Sequence, residues 1–366
     1  MADDDDLKFE ITAAKAPPGS IAVKTRILNP DGGITKGDAP HIKFWLYKVL
    51  RRSNAPEDVA ALLLEWNARQ DVMMLHGAPA PGLDLRLRHP RWYGESRSSD
   101  ATLVPRPCAF LLFDTDGVRA PEGSMLGLAK HIEEQARFVR EEVLPRPFRD
   151  VTLIVRASTS TGFNADSISL HIYVLLDRLF PLATLYRYVR GMWSSGIRID
   201  PSVMLPGQPV YSGKPIFRGG LADPLGAHPR VFVLPGLAPY ARDVDWDEFE
   251  PQLAVREATE KRMRAAGAER GWRGILAEGL GPMPGMFFDP ISSAMGRGLA
   301  EGVPIDELAG AMHAVIANHP DCDADRRHRY SEARLRQDLK RLAARGARRM
   351  ARTDEIRRRL VVARAP

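Results

Sequence analysis

The sequence has few cysteines and no long apolar segment, and each shortage excludes a class of protein. Only Cys108 and Cys322 occur among 366 residues, which argues against a disulfide-built domain and predicts a reducing, cytoplasmic environment. No stretch approaches the roughly 20 apolar residues of a membrane helix, so we expect no membrane partner. Residues 1–6 are acidic and do not resemble a secretory signal.

The chain also lacks the GxxxxGK[ST] loop that binds nucleotide phosphates in many ATPases. Any unwinding of a duplex would therefore need a separate replicative helicase as a partner. What remains is a composition typical of a soluble globular protein, with 44% hydrophobic and 27% charged residues. The length is sufficient for two domains.

Positive charge is concentrated in one segment. Residues 331–366 carry twelve basic and four acidic side chains, a net charge of +8, whereas the whole chain has a net charge of +6. A basic segment of this kind favours a phosphate-bearing partner. The alternative is a solvated helix face without a partner.

Two carboxylates follow a buried apolar run. Asp114 and Asp116 come directly after residues 109–112, and positions two apart share a face on a strand. Two such charges about 4 Å apart repel by roughly 4 kcal/mol at an effective dielectric near 20. A divalent cation with a preference for oxygen, Mg²⁺ or Mn²⁺, would remove that repulsion. The alternative is a turn at Asp116-Gly117, which is a common hairpin signal.

Around this pair the periodicity predicts a β-α-β-β-α-β order. The predicted strands and helices are residues 108–114, 124–144, 151–157, 167–176, 181–193 and 197–205. In the corresponding topology the strands lie in the order four, one, three, two, with the first strand central. That order brings Asp200, on the fourth strand, and His171, on the third, to the end of the sheet that carries Asp114 and Asp116.

The remaining chain divides around this unit. Residues 1–19 are expected to be a flexible acidic tail, and strands are expected at 21–28, 210–217 and 231–234. A helix is expected to begin at Pro56, and the chain reads as helical from about residue 255. The predicted fold class is α+β, with one domain over 20–252 and an all-α, basic domain over 253–366.

The motifs resemble those of archaeo-eukaryotic primases and primase-polymerases. That family carries a hydrophobe-Asp-x-Asp strand, a small-x-His strand and a hydrophobe-Asp pair. They correspond here to Phe113-Asp114-Thr115-Asp116, Ser169-Leu170-His171 and Ile199-Asp200. Residues 158–162 resemble the family's small, glycine-containing loop.

The resemblance implies an RRM-like (split β-α-β) catalytic module beside an N-terminal α/β module, with the active site between them. Asp114, Asp116 and Asp200 would be the catalytic, metal-binding residues, with Mg²⁺ or Mn²⁺ as cofactor. The nucleoside triphosphate would be bound by Ser160, Ser169, His171, Lys214 and Arg218. The activity implied is that of a DNA-directed primase/polymerase, a nucleotidyltransferase that copies single-stranded DNA.

The basic helical domain resembles those attached to primases of plasmids, phages and integrated elements, and it would hold either the DNA template or the initiating nucleotide. We assign DNA binding to Arg341, Arg345, Arg348 and Arg349. Two alternatives remain open: a primer-extending repair polymerase, and a non-catalytic replication protein that binds single-stranded or origin DNA.

A second group of metal-ligand residue types lies in the helical domain. His313, His319, Cys322 and His328 fall within sixteen residues, but their spacing matches no common zinc pattern. We predict a polar interhelical loop there.

Overall fold

The computed structural model describes residues 8–37, 42–91, 101–281, 288–322, 324–344 and 346. These residues form a mixed α+β protein. The chain divides into two compact units, Met1–Glu250 and Pro251–Pro366, two residues before the boundary expected from the sequence. None of the described helices combines the length and the apolar character that a membrane span requires.

The strands lie in the first unit. They are β1 Lys8–Lys15, β2 Thr25–Leu28, β3 Ile34–Lys36, β4 Phe44–Ser53, β5 Val72–Leu75, β6 Ala78–Pro79, β7 His89–Pro90, β8 Leu103–Val104, β9 Cys108–Asp114, β10 Val118–Arg119, β11 Leu153–Ala157, β12 Ser167–Ile168, β13 Leu170–Phe180, β14 Ile216–Arg218 and β15 Val231–Leu234.

The helices occur in both units. They are α1 Pro56–Asn67, α2 Ile132–Phe138, α3 Leu182–Ser194, α4 Glu250–Gly279, α5 Phe288–Ala300, α6 Ile305–Ala317 and α7 Ala324–Arg329. Residues 332–344 are also helical. Short 3₁₀ turns cover Ala129–His131, Arg146–Phe148 and Pro201–Met204, and a π-helical turn covers Val139–Val143. The helix α4 is broken at Gly271, which adopts a φ of 63°.

The first sheet corrects the expected N-terminal tail. Its strand order is β5-β1-β4-β7, and β1 is an interior strand. Phe9 and Ile11 on β1 are fully buried, because their alternation places them on the core face. The prediction of a flexible tail over 1–19 is therefore wrong for residues 8–15, while residues 1–7 lie outside the described part.

The second sheet contains three of the four predicted strands. Its order is β15-β11-β13-β9, and every neighbouring pair is antiparallel. The strands expected at 108–114 and 151–157 are confirmed as β9 and β11. The strand expected at 167–176 is divided into β12, which pairs with β10, and β13, which extends to Phe180 and lies between β9 and β11 as predicted. The predicted helix at 181–193 is confirmed as α3.

The predicted fourth strand is wrong, and so is the central position of the first. Residues 201–204 form a 3₁₀ turn that begins at Asp200, so β9 lies at the edge of the sheet. Pro201 has no N–H to donate to a β-ladder, and the carboxylate of Asp200 accepts a hydrogen bond from the backbone N–H of Ser202 instead. The opposite edge is occupied by β15.

Other elements are shorter than expected. The strand predicted at 21–28 is reduced to β2, and the one predicted at 210–217 is largely absent. Only β14, which overlaps the end of that segment, forms as a strand, and it pairs in parallel with β2. The helix predicted at 124–144 begins after the 3₁₀ turn at Ala129–His131.

Each unit has its own core. In the first unit the two four-stranded sheets meet through Phe9 and Phe110, whose ring centroids are 4.5 Å apart. In the second unit Trp272, Leu308 and Leu335 are among the buried residues of a helical core. The candidate site lies wholly in the first unit.

Candidate active site

The site is built on a row of three residues across neighbouring strands. Asp114, the last residue of β9, lies directly opposite His171 on β13, and His171 lies directly opposite Arg156 on β11. Residues opposite each other in an antiparallel pair point to the same side of the sheet. An aspartate, a histidine and an arginine therefore share one face at one end of the sheet.

Asp114 is almost buried and is surrounded by groups that favour its charged form. It is 8% exposed, and its Oδ2 lies 3.6 Å from Nε2 of His171. Its Oδ1 accepts a hydrogen bond of 3.2 Å from the backbone N–H of Asp116. Burial raises the pKa of Asp114, but its interactions with His171, with that backbone N–H and with Lys24 together bring the pKa below its usual value.

Asp116 is exposed and lies in a tight turn after β9. The backbone N–H of Val118 donates to the carbonyl of Thr115, so the turn weighed as an alternative does form. Thr115, which lies between the two aspartates, points inward. Its hydroxyl accepts a 2.8 Å hydrogen bond from the backbone N–H of Leu170. The Asp116 carboxylate accepts a 3.0 Å bond from the hydroxyl of Ser158.

Asp200 reaches the same end of the sheet through its backbone. Its N–H donates a 3.0 Å hydrogen bond to the carbonyl of Asp114. Its carboxylate is exposed and accepts bonds from the N–H and hydroxyl of Ser202, at 2.8 and 2.9 Å. The structure therefore places all three predicted aspartates at the end of β9.

These residues fit a divalent cation as donors, although their side chains are not gathered around one point. Three carboxylates are the hard oxygen ligands that Mg²⁺ and Mn²⁺ prefer, and two of them are exposed. Across the described part of the chain, no group of three or more histidine, cysteine, aspartate or glutamate side chains is close enough to hold a metal ion. Asp116 and Asp200 are instead bonded to Ser158 and Ser202.

The predicted glycine-containing loop borders Asp116. The backbone N–H of Ser160 donates to the hydroxyl of Ser158, at 3.0 Å. Gly162 has a φ of +87°, and a Cβ there would lie 2.7 Å from the Cβ of Ala129, so both its conformation and its space require glycine. The loop is tied to the sheet by the buried Ser169, whose carbonyl accepts from the backbone N–H of Ser158 and the hydroxyl of Thr161.

Besides Arg156, two basic residues at the site were not predicted from the sequence. Arg26 on β2 donates a 2.5 Å hydrogen bond to the hydroxyl of Ser160. Burial lowers the pKa of Arg26, and the negative charge of Asp116 opposes that effect. The Nζ of Lys24 lies 5.7 Å from the centroid of the Tyr211 ring, and its positive charge acts on Asp114. The period-two spacing of Lys24 and Arg26 was the available signal, since it places both on one face of an extended segment.

Lys214 and Arg218 are less closely engaged. Both are exposed, and Lys214 is held by its backbone N–H, which donates to the carbonyl of Asn67. Among the described residues, neither side chain forms a hydrogen bond or ion pair with the three aspartates. Two buried arginines lie near this segment: Arg156, whose Nη2 donates to the carbonyl of Gly213, and Arg230, which lies over the ring of Phe217.

The candidate DNA contacts lie mostly outside the described residues. Arg341 belongs to the described residues and is exposed, and its Nη1 lies 3.3 Å from Oδ1 of Asp338. Arg345, Arg348 and Arg349 lie outside the described part of the chain.

The histidine and cysteine group of the helical unit does not form a metal centre among the described residues. His313 Nδ1 lies 3.1 Å from the carbonyl of Tyr330, and His328 accepts a hydrogen bond from Arg334. Cys322 is buried and is not part of a disulfide.

Comparisons of the chain with protein-family models, with curated proteins and with solved structures give no match.

Proposed function

We propose that the protein is a template-dependent nucleotidyltransferase of the primase-polymerase type, which synthesises primers on single-stranded DNA during replication of a plasmid, phage or other mobile element. We also propose that it contains an RRM-like catalytic module, that its substrates are nucleoside triphosphates and that it acts in the cytoplasm.

One observation carries the proposal. His171 lies directly opposite Asp114 at the end of β9, and the N–H of Asp200 is bonded to the carbonyl of that same aspartate. Residues 86 positions apart in sequence thus meet at one edge, in the order of the three primase-like motifs, although the third lies at a 3₁₀ turn instead of on a strand. A purely structural histidine would not require a buried carboxylate directly opposite it.

The chain's own residues suit a triphosphate. Lys24 and Arg26 supply positive charge beside Asp114 and Asp116. The Ser158–Ser160 segment supplies hydroxyl groups, and Nε2 of His171 is buried and has no hydrogen-bond partner among the described residues. Donors of this kind bind and orient phosphate oxygens. Mg²⁺ or Mn²⁺, held by Asp114, Asp116 and Asp200, would neutralise charge on the phosphates and lower the pKa of the attacking hydroxyl.

The test is primer synthesis without a primer. The full chain is incubated with circular single-stranded DNA, labelled nucleoside triphosphates and Mg²⁺ or Mn²⁺, and the products are separated by length. We expect short oligonucleotides that require the template and the metal. Products that appear only with a pre-annealed primer would instead support the repair-polymerase alternative.

A non-catalytic DNA-binding role is the second candidate. It is favoured by one observation, namely that the carboxylates of Asp116 and Asp200 are each bonded to a serine hydroxyl. Binding of single-stranded DNA without metal, combined with no incorporation under any condition, would select this role.

A further inference from the structure

Behind His171, on the side away from Asp114, lies a buried arginine with no assigned role. Arg156 is 2% exposed, and its Nη1 is 3.3 Å from Nδ1 of His171. Its Nη2 donates a 3.1 Å hydrogen bond to the carbonyl of Gly213. Burial of a charged guanidinium costs free energy unless its N–H groups are hydrogen-bonded or its charge is paired.

The contact with Arg156 determines where the proton of a neutral His171 ring resides. A guanidinium has five N–H donors and no acceptor, so Nδ1 must accept the hydrogen bond. The single ring proton of the neutral imidazole is then on Nε2. That nitrogen faces Oδ2 of Asp114 at 3.6 Å, too far for a good hydrogen bond.

The position of Arg156 is itself fixed by close packing. A Cβ on Gly213 would lie 2.1 Å from the carbonyl oxygen of Arg69 and 2.5 Å from Cγ1 of Val23. Gly213 therefore packs closely against Arg69 and Val23, and its carbonyl accepts the hydrogen bond from Nη2 of Arg156. Burial lowers the pKa of Arg156 to about 10, so the group still carries its charge at neutral pH.

We propose that Arg156 is a positioning residue that fixes His171 as the Nε2–H tautomer and thereby directs a buried N–H donor toward an anionic oxygen at the carboxylate end of the sheet. Only the identity of that oxygen, a phosphate oxygen of the incoming nucleotide, rests on the proposed function. The tautomer itself is a property of the protein without ligand.

The experiment is ¹⁵N NMR of the full chain labelled at histidine, without nucleotide or metal and at a pH above the ordinary range of histidine. The His171 signals are assigned by their loss in His171→Gln. We expect a pyridine-type signal for Nδ1 and a pyrrole-type signal for Nε2. A pyrrole-type Nδ1, or averaged signals from two exchanging tautomers, would overturn the proposal.

Two variants of similar length separate positioning from packing. Arg156→Lys keeps a donor and should keep the Nε2–H pattern, whereas Arg156→Met lacks one and should give averaged signals. Arg106→Met removes another buried arginine, one that contacts Glu10, and should leave the His171 signals unchanged. An unaltered His171 pattern in folded Arg156→Met contradicts the proposal. If that variant does not fold, loss of the pattern in Arg156→Lys contradicts it instead.

A kinetic measurement then connects the tautomer to the proposed function. In Arg156→Met we expect about a tenfold higher KM for nucleotide with a smaller change in kcat, and Arg156→Lys should restore most of the affinity. A normal KM together with averaged NMR signals would refute the phosphate assignment. Absence of any synthesis by the unaltered protein would refute the proposed function and leave the NMR result to decide the tautomer.

Discussion

Asp114 and His171 lie directly opposite each other on antiparallel strands, with Oδ2 and Nε2 3.6 Å apart. Their register is fixed by an apolar stretch of β9 and β13 in which Phe110 pairs with Leu175 and Phe113 with Ile172. A slip of one residue would turn each of these buried side chains to the other face. The packing of the sheet interior therefore holds the polar pair in place at its end.

Arg26 should contribute to nucleotide binding. Its guanidinium donates to Ser160 and lies near Asp116, and a hydrogen bond from a charged group contributes about 1.5–3 kcal/mol. We expect Arg26→Met to raise the KM for nucleotide roughly tenfold or more, with a smaller effect on kcat. The measurement is steady-state incorporation at varied nucleotide concentration.

The matched control for that variant is Arg137→Met, an exposed arginine on α2 that pairs with Glu133. It should leave both constants unchanged. Equal KM values for Arg26→Met and the unaltered protein would show that Arg26 serves only to hold the loop at Ser160.

His76 should make the protein sensitive to acid. Its ring is fully buried and stacks on Phe110 at 5.1 Å, and burial together with nearby Arg106 lowers its pKa from 6.5 to about 3. As the pH falls below 6.5, the His76 ring binds a proton in the unfolded chain but stays neutral in the folded chain. The free energy of unfolding should therefore fall as the pH drops from 6.5 toward 3, by at most about 1.4 kcal/mol per pH unit from this group.

Urea denaturation at a series of pH values measures this effect. His76→Leu should have a shallower dependence on pH below 6.5, because it removes the group that titrates only on unfolding. His228→Gln changes an exposed histidine and should retain the full slope. The same slope in His76→Leu and in the unaltered protein would contradict the buried, neutral state of His76.

The basic C-terminal segment should bind DNA through phosphates. A full-length variant with its four assigned arginines changed to glutamine should bind single-stranded DNA more weakly. It should also have a smaller salt dependence, because each lost phosphate contact reduces the slope of log K against log salt by about 0.7. Those arginines are Arg341, Arg345, Arg348 and Arg349.

Four exposed arginines of the first unit, changed together to glutamine, provide a control with the same loss of charge. They are Arg51, Arg52, Arg86 and Arg137. An equal reduction of the slope in both variants would mean that binding follows net charge, not the C-terminal segment.

The sequence was sufficient to predict the strands that carry most of the site. The apolar run of β9 and the alternation along β13 are local patterns, and buried strands satisfy both. The small-residue loop at 158–162 was likewise visible, because Gly162 and its neighbouring hydroxyl residues are turn formers.

What could not be predicted depends on distant pairing. Arg26 and Ser160 are 134 residues apart, and no local pattern indicates that they meet. The segment at 197–205 contains strand-forming residues, but Pro201 and the capping carboxylate of Asp200 favour a 3₁₀ turn. The edge position of β9 follows from that turn and from the pairing of β15 with β11.

The most direct test of the central claim compares three aspartate-to-asparagine variants in the primer-synthesis assay. Asp114→Asn and Asp200→Asn remove charge from the proposed metal ligands. Asp177→Asn removes it from an exposed position on β13, about 20 Å along the strand from His171. With Mg²⁺ or Mn²⁺, we expect about a 100-fold or greater loss of synthesis in the first two variants and none in the third. Synthesis at an undiminished rate in folded Asp114→Asn and Asp200→Asn would contradict the account.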